Sequence, residues 1–169
     1  KEQTQDSAER AMEFQEIRHN NNDYLLIPSV SSENRRYIPI GFIEGDIIST
    51  NANLIIPNAS LFDFGVLTSN VHMAWMRTVA GRLKSDYRYS AKIVYNNFPW
   101  PEVTDEQKEM ISKTAQAILD ARALYPDSSL ADLYDELTMP VKLRQAHQAN
   151  DIAVMRAYEM QKNVDGKKT

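Results

Sequence analysis

The apolar positions of this chain change rhythm part-way along it. From Phe14 to about Ile56 they form short runs broken by turn formers, and Phe14–Arg18, Tyr24–Val30, Tyr37–Phe42 and Asn53–Ile56 each suit a strand of four to seven residues. The breaks His19-Asn20-Asn21-Asn22-Asp23, Ser31-Ser32-Glu33-Asn34 and Glu44-Gly45-Asp46 are turn chemistry. Pro28 and Pro39 lie inside two of the runs and predict edges or bulges, because proline cannot donate to a ladder. Leu67, Val71, Trp75, Val79 and Leu83 then recur at steps of four and predict one helix. Thr68, Ser69 and Asn70 are its candidate N-caps, and Gly81 weakens its end or admits another backbone. Ala91–Tyr95 reads as one more strand, stopped by Asn96-Asn97-Phe98-Pro99-Trp100-Pro101.

Beyond Pro101 the period becomes helical throughout. Thr104 with Gln107 makes a capping box, and Asp105 and Glu106 sit at the positive helix end. Ile111, Thr114, Ala115, Ile118, Ala121 and Tyr125 mark the buried face, and Pro126 ends the helix. A short helix is expected around Leu130, Leu133, Tyr134 and Leu137, stopping at Met139-Pro140. A last one, about Val141–Met160, points Leu143, Ala146, Ala153, Val154 and Tyr158 inward. Residues 1–12 read as the end of an upstream helix or a linker, and the polar tail from about Gln161 to Thr169 is expected to fray. No internal repeat or low-complexity tract is present. The expected fold class is α+β: a twisted, mixed β unit around one amphipathic helix (13–101), then a small helical unit (102–161) and a tail (162–169).

Composition narrows the classes. With 43% hydrophobic and 25% charged residues the chain has the make-up of a soluble globular protein, and no apolar run approaches the roughly 18 residues of a membrane span. The chain opens on Lys1 with no apolar leader region, which leads us to expect a piece of a longer chain. The absence of cysteine excludes disulfides and thiolate metal sites and fits a cytoplasmic setting. A formal charge of −4 conceals an uneven distribution. Between His72 and Lys92 stand five cations (Arg77, Arg82, Lys84, Arg88, Lys92) against Asp86 alone, whereas Glu102–Glu136 carries nine acids against three cations.

Catalytic chemistry is not legible. His19, His72 and His147 have no metal-ligand spacing and read as structural or surface imidazoles. There is no glycine-rich phosphate loop and no nucleophile elbow. Asn97-Phe98-Pro99-Trp100 is superficially similar to the Asn-Pro-Pro-Tyr/Phe loop of amino-methyltransferases, but Phe98 replaces the first proline. Glu106-x-Lys108 could be half of a nuclease motif, but the aspartate on a preceding strand is missing, and a solvated first helical turn accounts for the pair.

Binding chemistry remains. Arg77–Lys92 combines its cations with Tyr87 and Tyr89, a pattern suited to neutralising phosphates. Within Lys84-Ser85-Asp86-Tyr87-Arg88, lysine can donate to guanine O6/N7 and aspartate can accept from the cytosine amino group. Read as an extended segment, Lys84 and Asp86 point to one side and could address a single G·C pair; equally they could form a weak surface ion pair. Ser31, Ser32, Arg35 and Arg36 lie in a turn suited to phosphates or base edges, or to an ordinary hairpin tip. Arg18 and His19 open a further polar loop.

Several stretches together resemble the type IIL restriction–modification enzymes, the MmeI-like family: Tyr24-Leu-Leu-Ile-Pro28, Arg36-Tyr-Ile-Pro-Ile-Gly-Phe42, Ile56-Pro-Asn-Ala59, Leu67-Thr-Ser-Asn-Val-His-Met-Ala-Trp75, Arg82-Leu-Lys-Ser-Asp-Tyr-Arg-Tyr-Ser90, Tyr95-Asn-Asn-Phe-Pro-Trp-Pro101, Ala146-His-Gln-Ala-Asn-Asp151 and Val154-Met-Arg-Ala-Tyr158. The layout is also similar to type I specificity subunits, through Leu67-Thr-Ser69, Phe98-Pro-Trp-Pro101 and Glu106-Gln107. The resemblance implies a target-recognition domain and a helical C-terminal region, with double-stranded DNA and an upstream methyltransferase domain of the same chain as partners, and no membrane. It implies no cofactor in these residues, while S-adenosylmethionine and Mg2+ would serve upstream adenine methyltransferase and nuclease domains. It further implies that Lys84 and Asp86, just before Tyr87-Arg88-Tyr89-Ser90, select one base pair, here G·C. Arg35, Arg36, Ser31, Ser32, Arg77, Arg82, Tyr87, Arg88 and Lys92 are the other expected DNA contacts. The loops of the first unit would enter the major groove while the second unit braces them. The rival expectation is a protein-interaction module whose acidic C-terminal helices dock a partner and whose basic patch is merely solvated.

Overall fold

The computed structural model describes residues 22–164. The helix expected at 1–12, the strand Phe14–Arg18 and the loop at His19 lie outside the described residues. Two small antiparallel sheets carry the first half. Strand β1 (Tyr24–Pro28) lies between β3 (Gly41–Ile43) and β4 (Asn53–Pro57). Strand β2 (Val30–Ser31) pairs with β6 (Asp86–Arg88), which pairs with β5 (Gly81–Leu83). Pro28 was expected to mark an edge or a bulge; β1 is the central strand of its sheet. It is tolerated there because β3 pairs only as far as Gly41 opposite Leu26, so at Pro28 the strand has a single neighbour, Asn53.

The expected strand Tyr37–Phe42 is shorter than its apolar run. Only Gly41 onward joins a ladder; Tyr37, Ile38 and Ile40 are buried as irregular chain. Pro39 has no N–H to give, and the flanking amides find partners outside a ladder: Ile40 N–H donates to Ile38 O at 2.8 Å and Ile38 N–H to Met73 Sδ, on a helix far along the chain, at 3.4 Å.

The single helix expected over Leu67–Leu83 is two helices and a strand. Helix α1 (Leu61–Leu67) starts with a capping box between Ser60 and Asp63, and α2 (Asn70–Val79) restarts at Ser69, whose hydroxyl accepts from His72 N–H. Ala80 is extended, and Gly81–Leu83 turn into the second sheet. A row at steps of four is continuous in sequence whether or not the backbone is; the capping serine interrupts it. Ala91–Tyr95 is likewise no strand but a π-helical turn, with Asn96 N–H donating to Ala91 O at 2.9 Å. Asn97 Nδ2 satisfies the carbonyls of Lys92 and Ile93, and Trp75 Nε1 that of Val94, so this short apolar run needs no ladder.

Helix α3 (Asp105–Ala123) begins at the expected Thr104–Gln107 capping box, and Ile111, Ala115, Ile118 and Ala121 are buried on the expected face. Helix α4 is a single turn (Leu130–Leu133), shorter than the helix expected to reach Leu137; Leu137 lies past its end and is 93% exposed. Helix α5 runs Val141–Val164, past the Met160 boundary and into the tail expected to fray. Its inward face carries Leu143, Val154 and Ala157, with His147, Asn150 and Asp151 in phase with them. One buried cluster takes Leu25, Ile27, Ile40 and Phe64 from one side of residue 102 and Ile118, Tyr134 and Leu143 from the other. Full burial of such side chains contributes about 1.5–3 kcal/mol each, so the helices and the strands stabilise one another.

Candidate nucleic-acid interface

Two loops project from the second sheet. The first, Ser32–Arg36, follows β2; the second is the turn between β5 and β6. Leu83 pairs with Asp86, leaving Lys84 and Ser85 as a two-residue hairpin turn. Lys84 has φ 57°, a left-handed conformation that a two-residue hairpin requires and a lysine adopts at a cost of about 1 kcal/mol. This corrects the geometry expected from sequence. Lys84 and Asp86 are not alternate residues of one extended segment; lysine stands at the exposed tip and aspartate, half-buried, at the first position of the returning strand.

Pairing register divides the remaining residues between the faces of this sheet. Ser31 and Arg82 flank Tyr87 on the two neighbouring strands, and Val30 and Gly81 likewise flank Arg88. Ser31 and Tyr87 are 3% and 8% exposed, so of the expected contacts these two lie within the scaffold. Val30 and Arg88 are exposed, and Leu83 and Asp86 share their side of the sheet. Lys92 is exposed on the π-helical turn, with its carbonyl held by Asn97.

Two arginines expected to meet DNA make bonds within the protein. The Arg82 guanidinium lies 3.8 Å from the centroid of the Tyr87 ring, donates to Ser85 O at 2.7 Å, and reaches Glu33 Oε2 at 3.5 Å. It fixes the hairpin turn and ties it to the neighbouring loop, though as an exposed ion pair the Glu33 contact is worth well under about 1 kcal/mol. Arg77 Nη2 donates to Arg36 O at 2.6 Å and Arg35 O at 3.4 Å, so helix α2 holds the Ser32–Arg36 loop by its backbone. Arg36 is exposed, Arg35 and Ser32 are half-buried, and Arg36 sits 5.7 Å from the Tyr37 ring centroid.

Sequence reasoning missed the residues that anchor this loop from the helical side. Asp151 on α5 accepts from Tyr37 Oη at 2.7 Å and from Asn70 N–H at 2.7 Å, joining the loop end to the start of α2. Burial raises the Asp151 carboxyl above the usual carboxylate range, opposed by those two bonds and by the Arg36 charge. Burial, then the neighbouring Asp151, raises the Tyr37 hydroxyl. His147 stacks on Tyr37 at 4.1 Å and pairs with Tyr134 Oη at 2.6 Å, and Arg122 also donates to that Tyr134 hydroxyl. The available signal was the phase of His147, Asn150 and Asp151 with the buried Leu143 and Val154. His72 meets Tyr89 Oη at 2.9 Å, and burial lowers both histidines to a pKa of about 3, so both imidazoles are neutral structural groups.

Among the described residues no cluster of acids and histidines could hold a metal ion, and no helix is long and apolar enough to cross a membrane. Charged side chains stand on two loops whose backbones the surrounding elements hold, a surface suited to binding on a chain of mixed α and β structure. Residues 1–102 match the family MmeI, target recognition domain, and residues 103–167 match MmeI, C-terminal domain. The chain belongs to the MmeI family. It is 44% identical over 145 residues to DNA methyltransferase A of Bacillus subtilis (strain 168), covering 86% of this chain and 16% of that protein. It superposes with a TM-score of 0.89, at 50% identity, on the solved type IIL restriction–modification enzyme MmeI in complex with DNA, covering 94% of this chain and 21% of that one. The chain therefore spans about a sixth to a fifth of the length of these relatives.

Proposed function

We propose that this chain reads the sequence of double-stranded DNA as the specificity region of a restriction–modification enzyme. The observation that carries the proposal is the match of residues 1–102 to a target recognition domain; the basic hairpin tip and the arginine loop give that match a physical surface. Lys84 at the tip donates to guanine O6/N7, and Asp86 beside it accepts from the cytosine amino group, so the pair selects G·C at one position of the site. Arg88 and Lys92 add charge for phosphates, while Arg77 and Arg82 orient the reading loops. Residues 13–101 form the recognition unit and 102–161 the brace. S-adenosylmethionine-dependent adenine methylation, and Mg2+-dependent cleavage where present, belong to other domains of the parent protein; the target base and cofactor are not handled by the residues described above.

The test is selection of duplexes from a random-sequence pool by the full-length protein at low salt. Enrichment of one short sequence is the expected result. Equal retention of all sequences would contradict specific reading, and no retention at any salt would favour a protein-docking role.

A further inference from the structure

We infer that the concavity beside Arg35 and Arg36 seats one backbone phosphate of the duplex, with Arg77 shaping the seat from behind. The inference rests on the DNA-reading role proposed above and assigns these arginines to the backbone rather than to base edges. The concavity has a volume of about 400 Å³, and its lining includes Arg35, Arg36, Arg77, Asn70, Glu33 and Glu136. Three guanidiniums thus face two carboxylates, but each carboxylate has a cation of its own: Glu33 pairs with Arg82 at 3.5 Å and Glu136 with Arg144 at 2.8 Å. No hydrogen bond or ion pair engages the Arg35 guanidinium among the described residues, so its donors are open to a ligand.

The carbonyls of Arg35 and Arg36 would repel an anion if left bare. Both accept from Arg77 Nη2, which quenches their partial charge and leaves the other donors of that guanidinium available. Asn70 N–H, the first amide of α2, is already bound to Asp151, so the seat works through guanidinium forks and not through a helix end. Shape separates phosphate from base. An open, shallow cationic surface can meet the phosphates that project from a duplex, whereas base edges lie at the floor of a major groove about 8.5 Å deep and call for a side chain at a projecting tip. Lys84 at the hairpin tip has that projecting form; Arg35 does not.

The test measures the affinity of the full-length protein for labelled duplexes of several sequences between about 50 and 200 mM salt. Arg35→Ala should reduce the magnitude of the log K against log salt slope by about 0.9, the loss of one neutralised phosphate, and weaken all sequences alike. Arg35 is half-exposed and unpartnered among the described residues, so its truncation leaves no buried group unsatisfied there. Arg35→Lys should keep the wild-type slope. Arg77→Met should lower the slope by the same amount, with no second decrement when combined with Arg35→Ala, a coupling that general destabilisation would not produce. A wild-type slope in Arg35→Ala would overturn the seat, and so would an unchanged slope with relaxed preference at one base pair, which marks a base contact. If the unaltered protein shows no salt-dependent duplex binding, the DNA-reading role itself falls; salt-dependent binding by the unaltered protein with a wild-type slope in the variants overturns the seat alone.

Discussion

At the scale of single residues, the buried histidines make a definite demand on pH. His72 and His147 have folded pKa values of about 3 against an ordinary value of 6.5, because burial disfavours the imidazolium. The unfolded chain therefore binds protons that the folded chain refuses between about pH 6.5 and pH 3, and stability is lost as pH falls through that window. Each histidine contributes at most about 1.4 kcal/mol per pH unit. Asp151, whose carboxyl burial raises, acts in the opposite sense near the ordinary carboxylate range and offsets part of the loss there. Thermal melting should show a plateau above about pH 6.5 and a falling Tm from there toward pH 4.5; a flat Tm across that interval would contradict buried neutral imidazoles. The structural reading of these histidines was legible from their spacing. The positive φ of Lys84 was not, since lysine is no turn former, and the turn is set instead by the pairing of Leu83 with Asp86.

At the scale of elements, Gly65 reports how closely α1 approaches the two long helices. A Cβ there would stand 2.8 Å from Ile111 Cγ2 on α3, 3.1 Å from Ala115 Cβ, and 3.1 Å from Asn150 Oδ1 on α5. Asn150 Nδ2 also donates to Gly65 O at 2.8 Å, so the contact is fixed by a hydrogen bond as well as by packing. Gly65→Ala should destabilise the protein by about 1–3 kcal/mol in urea denaturation, although alanine is the better helix former. A neutral or stabilising outcome would show that the helices separate easily. The C-terminal helices were legible because capping signals and period agree over long stretches: Thr104 with Gln107, and Ile111 through Ala121. The first half was less so. Its apolar runs are short, and a run such as Ala91–Tyr95 serves a strand or a helical turn equally well until its carbonyls find partners. Helix α1 was not legible because it is only seven residues long and its Ser60–Asp63 capping box lies upstream of the apolar row that begins at Leu67.

At the scale of the whole molecule, the helical half holds the loops that the strand-rich half displays. Asp151 binds Tyr37 and Asn70, the core crosses residue 102, and Arg82 ties the hairpin turn to Glu33. The surface proposed to read DNA is thus a product of packing between residues far apart in sequence, which is why local patterns found the charged residues but not their supports. Residue types placed Lys84, Asp86, Arg35 and Arg36 among the candidates; only the folded chain separates them from Ser31 and Tyr87, which are buried, and from Arg77 and Arg82, which bind the protein itself. The central claim concerns the hairpin tip. Exchanging the pair in the full-length protein, Lys84→Asp together with Asp86→Lys, reverses donor and acceptor at one base pair while leaving the scaffold charge unchanged. The sequence recognised, determined by mapping modified or bound sites, should change at that one position, from G·C to its inverse or to no preference, with a discrimination of roughly 1–3 kcal/mol lost there. A recognised sequence that stays the same at every position would contradict the account.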